Sequence, residues 1–134
     1  MANINLLRSD REKLEKGAWV DYQLGIRLRI RPHHCPEHLA AMTAIAQRRR
    51  TELDGREWTD RDEDEVKREA AAVGLLADWD NVEDAEGSPI PYSVEQAKAW
   101  YDEGDFNPLW DFVVLQSLLD RNFRKAQSEA DAKN

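Results

Sequence analysis

Cysteine is nearly missing from this chain of 134 residues: Cys35 is the only one, so no internal disulfide can form, which fits a reducing compartment. Long apolar runs are missing as well. Nothing approaches the roughly 20 consecutive apolar residues that a bilayer-spanning helix needs. The stretch Met1 to Leu7 has neither the basic start nor the apolar core of a signal peptide. The expectation is a cytoplasmic protein without a membrane partner. No internal repeat and no Gly/Ser/Pro linker divides the chain, so one domain is expected over residues 1–134, with residues 1–8 and 126–134 frayed at its ends. No phosphate-cradling glycine loop, nucleophile elbow or His-Glu-x-x-His pattern occurs, which points away from an enzyme and from a cofactor.

What the chain does have is charge and tryptophan. Charged residues make up 34% and mean hydropathy is -0.78, so the surface must be wet, while five tryptophans supply bulky core material. The net charge of -8 is unevenly spread. Residues 1–50 hold ten Lys/Arg against five Asp/Glu, and residues 51–134 hold nine against 22. Such a lopsided molecule favours oriented self-association or a charged protein partner over free nucleic acid, although two ordinary solvated faces would look the same in sequence.

Periodicity sets the expected elements. Ser9 caps a short helix over residues 10–16 that stops at Gly17. Ile26-Arg27-Leu28-Arg29-Ile30-Arg31 alternates apolar and basic residues, the pattern of a half-buried strand with three arginines facing solvent. It pairs with residues 18–22 across Gln23-Leu24-Gly25. A lone hairpin is marginal, and the stretch around Trp79 to Val82 is the best candidate for a third strand. Pro36 opens a helix to about Arg50 with Leu39, Met42, Ile45 and Ala46 on its apolar side, and Arg48, Arg49 and Arg50 at its end. Thr59 and Asp62 form a capping box for a helix reaching about Ala77, with Val66, Ala70, Val73 and Ala77 inward. Ser93 and Gln96 cap a short helix ending at Gly104. Asn107 and Pro108 start a last one carrying Leu109, Phe112, Val113, Leu115, Leu119 and Phe123. The fold class expected is α+β: a mainly helical domain of four to five helices with a small antiparallel hairpin or sheet.

Candidate sites are few. His33, His34, Cys35 and His38 lie within six residues, and His34 and His38 have the i, i+4 spacing that can converge on a metal. Pro36 disfavours helical backbone at Cys35, and no second Cys/His cluster completes a ligand set, so a solvated corner is expected rather than a metal site or a Cys–His nucleophile. The acids from Asp60 to Glu65 lack a calcium-loop pattern and suit a helix start. Arg27, Arg29 and Arg31 together with Arg48 to Arg50 are the sole argument for nucleic acid, and the acidic remainder weighs against it. Trp58 and Trp110 sit beside turns and charges, where each serves either as core or as a partner anchor. Partner contacts are therefore assigned to Arg27, Arg29, Arg31, Trp58 and Trp110. Residues 73–93 form a shaped connector held by Trp79, Gly87, Pro89, Pro91 and Ser93.

A hairpin bearing Trp19, a Pro-started helix after an arginine-bearing strand, Leu76-Ala77-Asp78-Trp79, the Glu86-Gly87 turn, Pro89-Ile90-Pro91-Tyr92-Ser93 and a terminal helix with Phe112 together resemble the tail assembly chaperones of long-tailed phages and prophages. The resemblance spans about residues 17–125, and its most specific part is Trp79 to Ser93. It implies a non-enzymatic cytoplasmic protein, absent from the mature virion, that coats the tape measure protein and helps recruit tail tube subunits. It also implies a longer product made by ribosomal frameshifting, for which the codons of Ala132-Lys133-Asn134 could supply an A-rich slippery site. Another virion structural or adaptor protein, and a host-directed regulator or nucleic-acid binder, are the alternative classes.

Overall fold

Strand β2 (Arg27–Ile30) is the centre of a three-stranded antiparallel sheet in the order β1-β2-β3, with β1 (Ala18–Asp21) and β3 (Leu76–Asp80) as its edges. The computed structural model describes residues 1–125. The expected tail from Ala126 and the Ala132-Lys133-Asn134 end lie outside the described residues. Five α-helices accompany the sheet: α1 (Arg11–Lys16), α2 (Pro36–Leu53), α3 (Asp60–Ala70), α4 (Val94–Glu103) and α5 (Asn107–Ser117). This is the mainly helical α+β domain that the periodicities predict.

Local chemistry explains most boundaries. Asp10, not Ser9, caps α1 by accepting from the Lys13 N–H, and Ser9 instead bridges to Arg124. The first eight residues, expected to fray, contain an exposed 3-10 turn over Ile4–Leu7. Thr59 and Asp62 cap α3 reciprocally. Ser93 accepts from the Gln96 N–H to start α4, and Gly104 ends it at φ 79°. Helix α5 has Phe106, rather than Asn107, before its first turn, and Pro108 within that turn.

Two helices are shorter than their apolar periodicity predicts. Helix α3 gives way to a π-turn over Ala71–Leu75, and Leu76 is already extended, so the helix does not reach Ala77. Strand β2 captures this segment: Leu28 pairs with Trp79 and Ile30 with Leu76, with a bulge opposite Arg29 and Ile30. The bulge takes up Ala77, so both Leu76 and Trp79 are buried despite their spacing. Helix α5 stops at Ser117, whose carbonyl accepts from the His33 N–H at 3.1 Å; Phe123 reaches the core from a separate 3-10 turn over Asp120–Phe123.

The main core joins Leu28 and Ile30 of β2 to Ala71, Ala72 and Leu75 of the π-turn, Leu76 and Trp79 of β3, Ala97 of α4, and Trp110 and Val113 of α5. A second cluster, Ile45, Val66 and Ala70, locks α2 to α3 with Ala41, Met42, Ala46, Trp58 and Val73 around it. Leu39, expected on the buried side of α2, is 55% exposed, and Leu115 of α5 is 54% exposed. Gly74 allows the close approach of the π-turn to α2, because a Cβ there would lie 2.9 Å from the His38 Cα.

Candidate functional site

The connector expected over residues 73–93 is shorter, because residues 73–80 belong to the π-turn and β3, and what remains between β3 and α4 is a folded corner. Asp84 Oδ1 accepts from the N–H groups of Glu86 and Ser88, both at 2.9 Å, and Gly87 turns at φ 82°. The Ile90 N–H donates to the Val82 carbonyl at 2.9 Å, and Glu83 bridges to Pro89, so the chain doubles back on itself. Trp79 clamps the returning limb: its indole N–H donates to the Ile90 carbonyl at 2.7 Å. Tyr92 then anchors the exit by donating its hydroxyl to the Leu76 carbonyl at 2.8 Å, and burial pushes the Tyr92 hydroxyl pKa up. Pro89 and Pro91 are exposed and stiffen this limb, while Ser93 starts α4.

The corner forms one wall of an apolar groove. Its volume is about 630 Å³, and it is lined by Tyr22, Ile26 and Leu28 of the hairpin, Val82 and Ile90 of the connector, and Trp79, Trp100, Phe106 and Leu109. Trp79 stacks on Trp100 with centroids 4.8 Å apart, Trp100 meets Phe106 at 5.6 Å, and Trp79 meets Tyr92 edge-on at 5.0 Å. These offset and edge contacts hold rigid aromatic walls. Glu83 and Asp105, both exposed, stand among the lining residues and give the rim a negative sign. An open apolar trough with fixed aromatic walls and an acidic rim suits an amphipathic segment whose apolar side is flanked by basic residues.

Arg27, Arg29 and Arg31 do not form an unpaired, solvent-facing comb. Arg27 is exposed and pairs with Asp21 at 3.2 Å. Arg29 donates to the Gly17 carbonyl at 3.2 Å, and both Arg27 and Arg29 lie over the Trp19 ring, at 5.4 and 5.8 Å. Arg31 donates to the Gly74 carbonyl at 3.1 Å and ties the strand end to the π-turn. The side chains of Arg29 and Arg31 keep only 24% and 23% of their surface exposed, because α1 and α2 cover them through Glu12 and Glu37.

The two tryptophans read as anchors are placed inward. Trp110 is 0% exposed at the centre of the core, which removes it as a surface contact; its indole nitrogen has no hydrogen-bond partner among the described residues. Trp58 is half-buried in the α2–α3 cluster, donates to Glu63 Oε2 at 3.0 Å and lies 5.2 Å from the Arg50 guanidinium. Sequence missed Tyr22, Ile26, Val82, Ile90, Trp100, Phe106 and Leu109 as one surface, since they come from four separated segments.

Histidines and acids serve the fold. His38 Nδ1 meets the His33 carbonyl at 2.7 Å, and the buried Cys35 thiol, its pKa pushed up by burial, points to the Gly74 carbonyl at 3.9 Å. Among the described residues no group of three His, Cys, Asp or Glu side chains is placed to hold a metal ion. Arg48 pairs with Glu69, and Arg49 with Asp62 and Glu65, fastening α2 to α3. The Thr59 N–H, Arg49 and the Thr59 hydroxyl hold the Asp62 carboxyl at about 2. Arg48 and Arg49 thus pair the two helices, while Arg50 lies over Trp58.

No curated protein and no solved structure matches the chain. A family model does match, that of the YdaY prophage protein, over residues 35–134. That stretch includes α2 through α5, the connector and the wall of the groove from Leu76 to Leu109, and by this match the chain belongs to the YdaY prophage protein family.

Proposed function

We propose that this prophage protein is a non-enzymatic tail assembly chaperone, acting in the host cytoplasm and absent from the finished particle. Its client is the tape measure protein, and it assists recruitment of tail tube subunits. The observation that carries the reading is the groove between hairpin, connector and α5: preformed, apolar, aromatic-walled and rimmed by Glu83 and Asp105. A long helical client exposes apolar stripes until a tube encloses it, and a groove of this kind covers such a stripe as helix-in-groove partners do. Arg27 and Arg29 are held by Trp19, Asp21, Gly17 and Glu12, which disfavours the nucleic-acid alternative, because phosphate neutralisation needs cations free to exchange their counterions.

Co-expression with a cognate tape measure protein tests the reading. The client should stay soluble and co-purify with this chain, and Ile26→Asp, which puts a carboxylate on the groove wall, should release it while circular dichroism stays unchanged. Equal precipitation of the client with and without the chain would sink the proposal. Recovery of the chain in stoichiometric amount from purified virions would move it to the structural or adaptor class.

A further inference from the structure

We infer that the groove of one copy receives the N-terminal turn of a second copy, so that the protein associates head to tail and a client must displace a sister chain. The inference rests on the groove being a protein-binding site, as proposed above. It begins from the turn over Ile4–Leu7, in which no residue is buried: Ile4 is 72% exposed, Leu6 47% and Leu7 55%. Three large aliphatic side chains presented together in water are a surface in search of cover.

The turn is ordered before it binds. Asn3 accepts from the Asn5 N–H at 3.0 Å, Arg8 Nε donates to Asn5 Oδ1 at 2.8 Å, and the Lys125 N–H donates to the Arg8 carbonyl at 2.9 Å. Little ordering entropy therefore opposes docking. Arg8 and Arg11 follow the turn, both exposed, and their sign complements Glu83 and Asp105 at the groove rim. The groove, at about 630 Å³, lies within the roughly 300–1,000 Å³ range of sites that enclose small ligands. Several aliphatic side chains fit such a space.

Topology makes the contact intermolecular. The turn leads into α1 and the Gly17 end of the hairpin, where Arg29 holds the Gly17 carbonyl and Lys13 Nζ the Arg124 carbonyl. The groove opens at the other end, beside Tyr22, Gln23 and Ile26, and no residue of the turn lines it. Two unlike patches on one molecule give a heterologous contact, which adds copies head to tail into an open chain or a closed ring.

Light scattering behind size exclusion, over a dilution series, tests this on the full chain. The wild type should grow in mass with concentration, and Ile4→Ser/Leu6→Ser/Leu7→Ser, which touches no buried residue, should weaken association by at least about tenfold. Glu83→Lys/Asp105→Lys and Arg8→Glu/Arg11→Glu should each be monomeric. Mixed together they should associate again, since each supplies the charge that the other lacks. A wild type that stays monomeric overturns the inference, as do a serine variant that associates like the wild type and a charge-swapped mixture that fails to assemble. The client assay separates the two readings. Self-association with this pattern but no client solubilisation leaves the inference standing and removes the chaperone function. Client solubilisation by a wild type that never self-associates does the reverse.

Discussion

Replacing Gly74 by alanine should destabilise the protein even though alanine is the better helix former. Alanine gains about 1 kcal/mol over glycine in helical backbone, and Gly74 sits in the π-turn without a left-handed φ. Against that gain, the new Cβ would lie 2.9 Å from the His38 Cα, 3.1 Å from the Ala41 Cβ and 3.1 Å from the Glu37 carbonyl oxygen. Two of these are backbone atoms of α2, which cannot swing aside as a side chain does. Overpacking of this kind costs about 1–3 kcal/mol. Moving the π-turn away from α2 instead stretches the bonds that hold it to the end of β2: Arg31 to the Gly74 carbonyl at 3.1 Å, and the Arg31 N–H to the Leu75 carbonyl at 2.8 Å. Each is worth about 1 kcal/mol net. The expected balance is a loss of about 2 kcal/mol, or a fall in Tm of about 6–8 °C for a chain of this size. Urea denaturation followed by tryptophan fluorescence, with the m-value unchanged, measures it. Gly104→Ala is the reference, with nothing within 4 Å of its Cβ and φ at 79°; it should lose about 1 kcal/mol from backbone conformation alone. A Gly74→Ala protein as stable as the wild type, or stabilised by the propensity gain, would refute the close packing of the π-turn on α2.

Trp79→Phe keeps an aromatic against Trp100 but removes the donor to the Ile90 carbonyl. It should cost about 1–2 kcal/mol, with faster amide exchange at Ile90 as the local signature and unchanged exchange in α2 as the control. Ser93→Ala removes the acceptor for the Gln96 N–H and should lower stability by about 0.5–2 kcal/mol in the same urea assay. Asp62 titrates at about 2 in the folded chain against 3.8 ordinarily, so its contribution is fully present above about pH 4 and is lost as pH falls through 2. Unfolding midpoints measured from pH 5 downward should drop less steeply in Asp62→Asn than in the wild type, and equal slopes would count against this assignment.

Elements marked by chemistry local in sequence were legible. Gly17, Thr59 with Asp62, Ser93 and Gly104 mark helix ends through caps that need no tertiary partner, and the Arg27 to Ile30 alternation marks β2. Trp79 also entered the third strand as expected. What remained hidden was decided by partners distant in sequence. Leu76 and Ala77 continue the apolar rhythm of α3, but the free edge of β2 draws them into a strand. Leu119 and Phe123 continue that of α5, yet the helix stops at Ser117, where the His33 N–H takes the Ser117 carbonyl. Alternation correctly put Arg29 and Arg31 opposite the core, but nothing in it foretold that α1 and α2 would cover that side. Trp110 looked like a corner residue because Asn107 and Pro108 precede it; helix rotation points it inward. The groove was the least legible feature, being a property of how the hairpin, connector, α4 and α5 meet.

The central position of β2 also sets an order of events in time. Its pairing with β1 closes a short loop local in sequence, whereas its pairing with β3 must wait for α2 and α3 to fold back between them. Loop closure across that interval is repaid only when the helices pack, so the second half of the sheet is the slow step. The groove needs that step and Leu109 besides. On the proposed reading, the partner site is therefore complete only once Leu109 is in place.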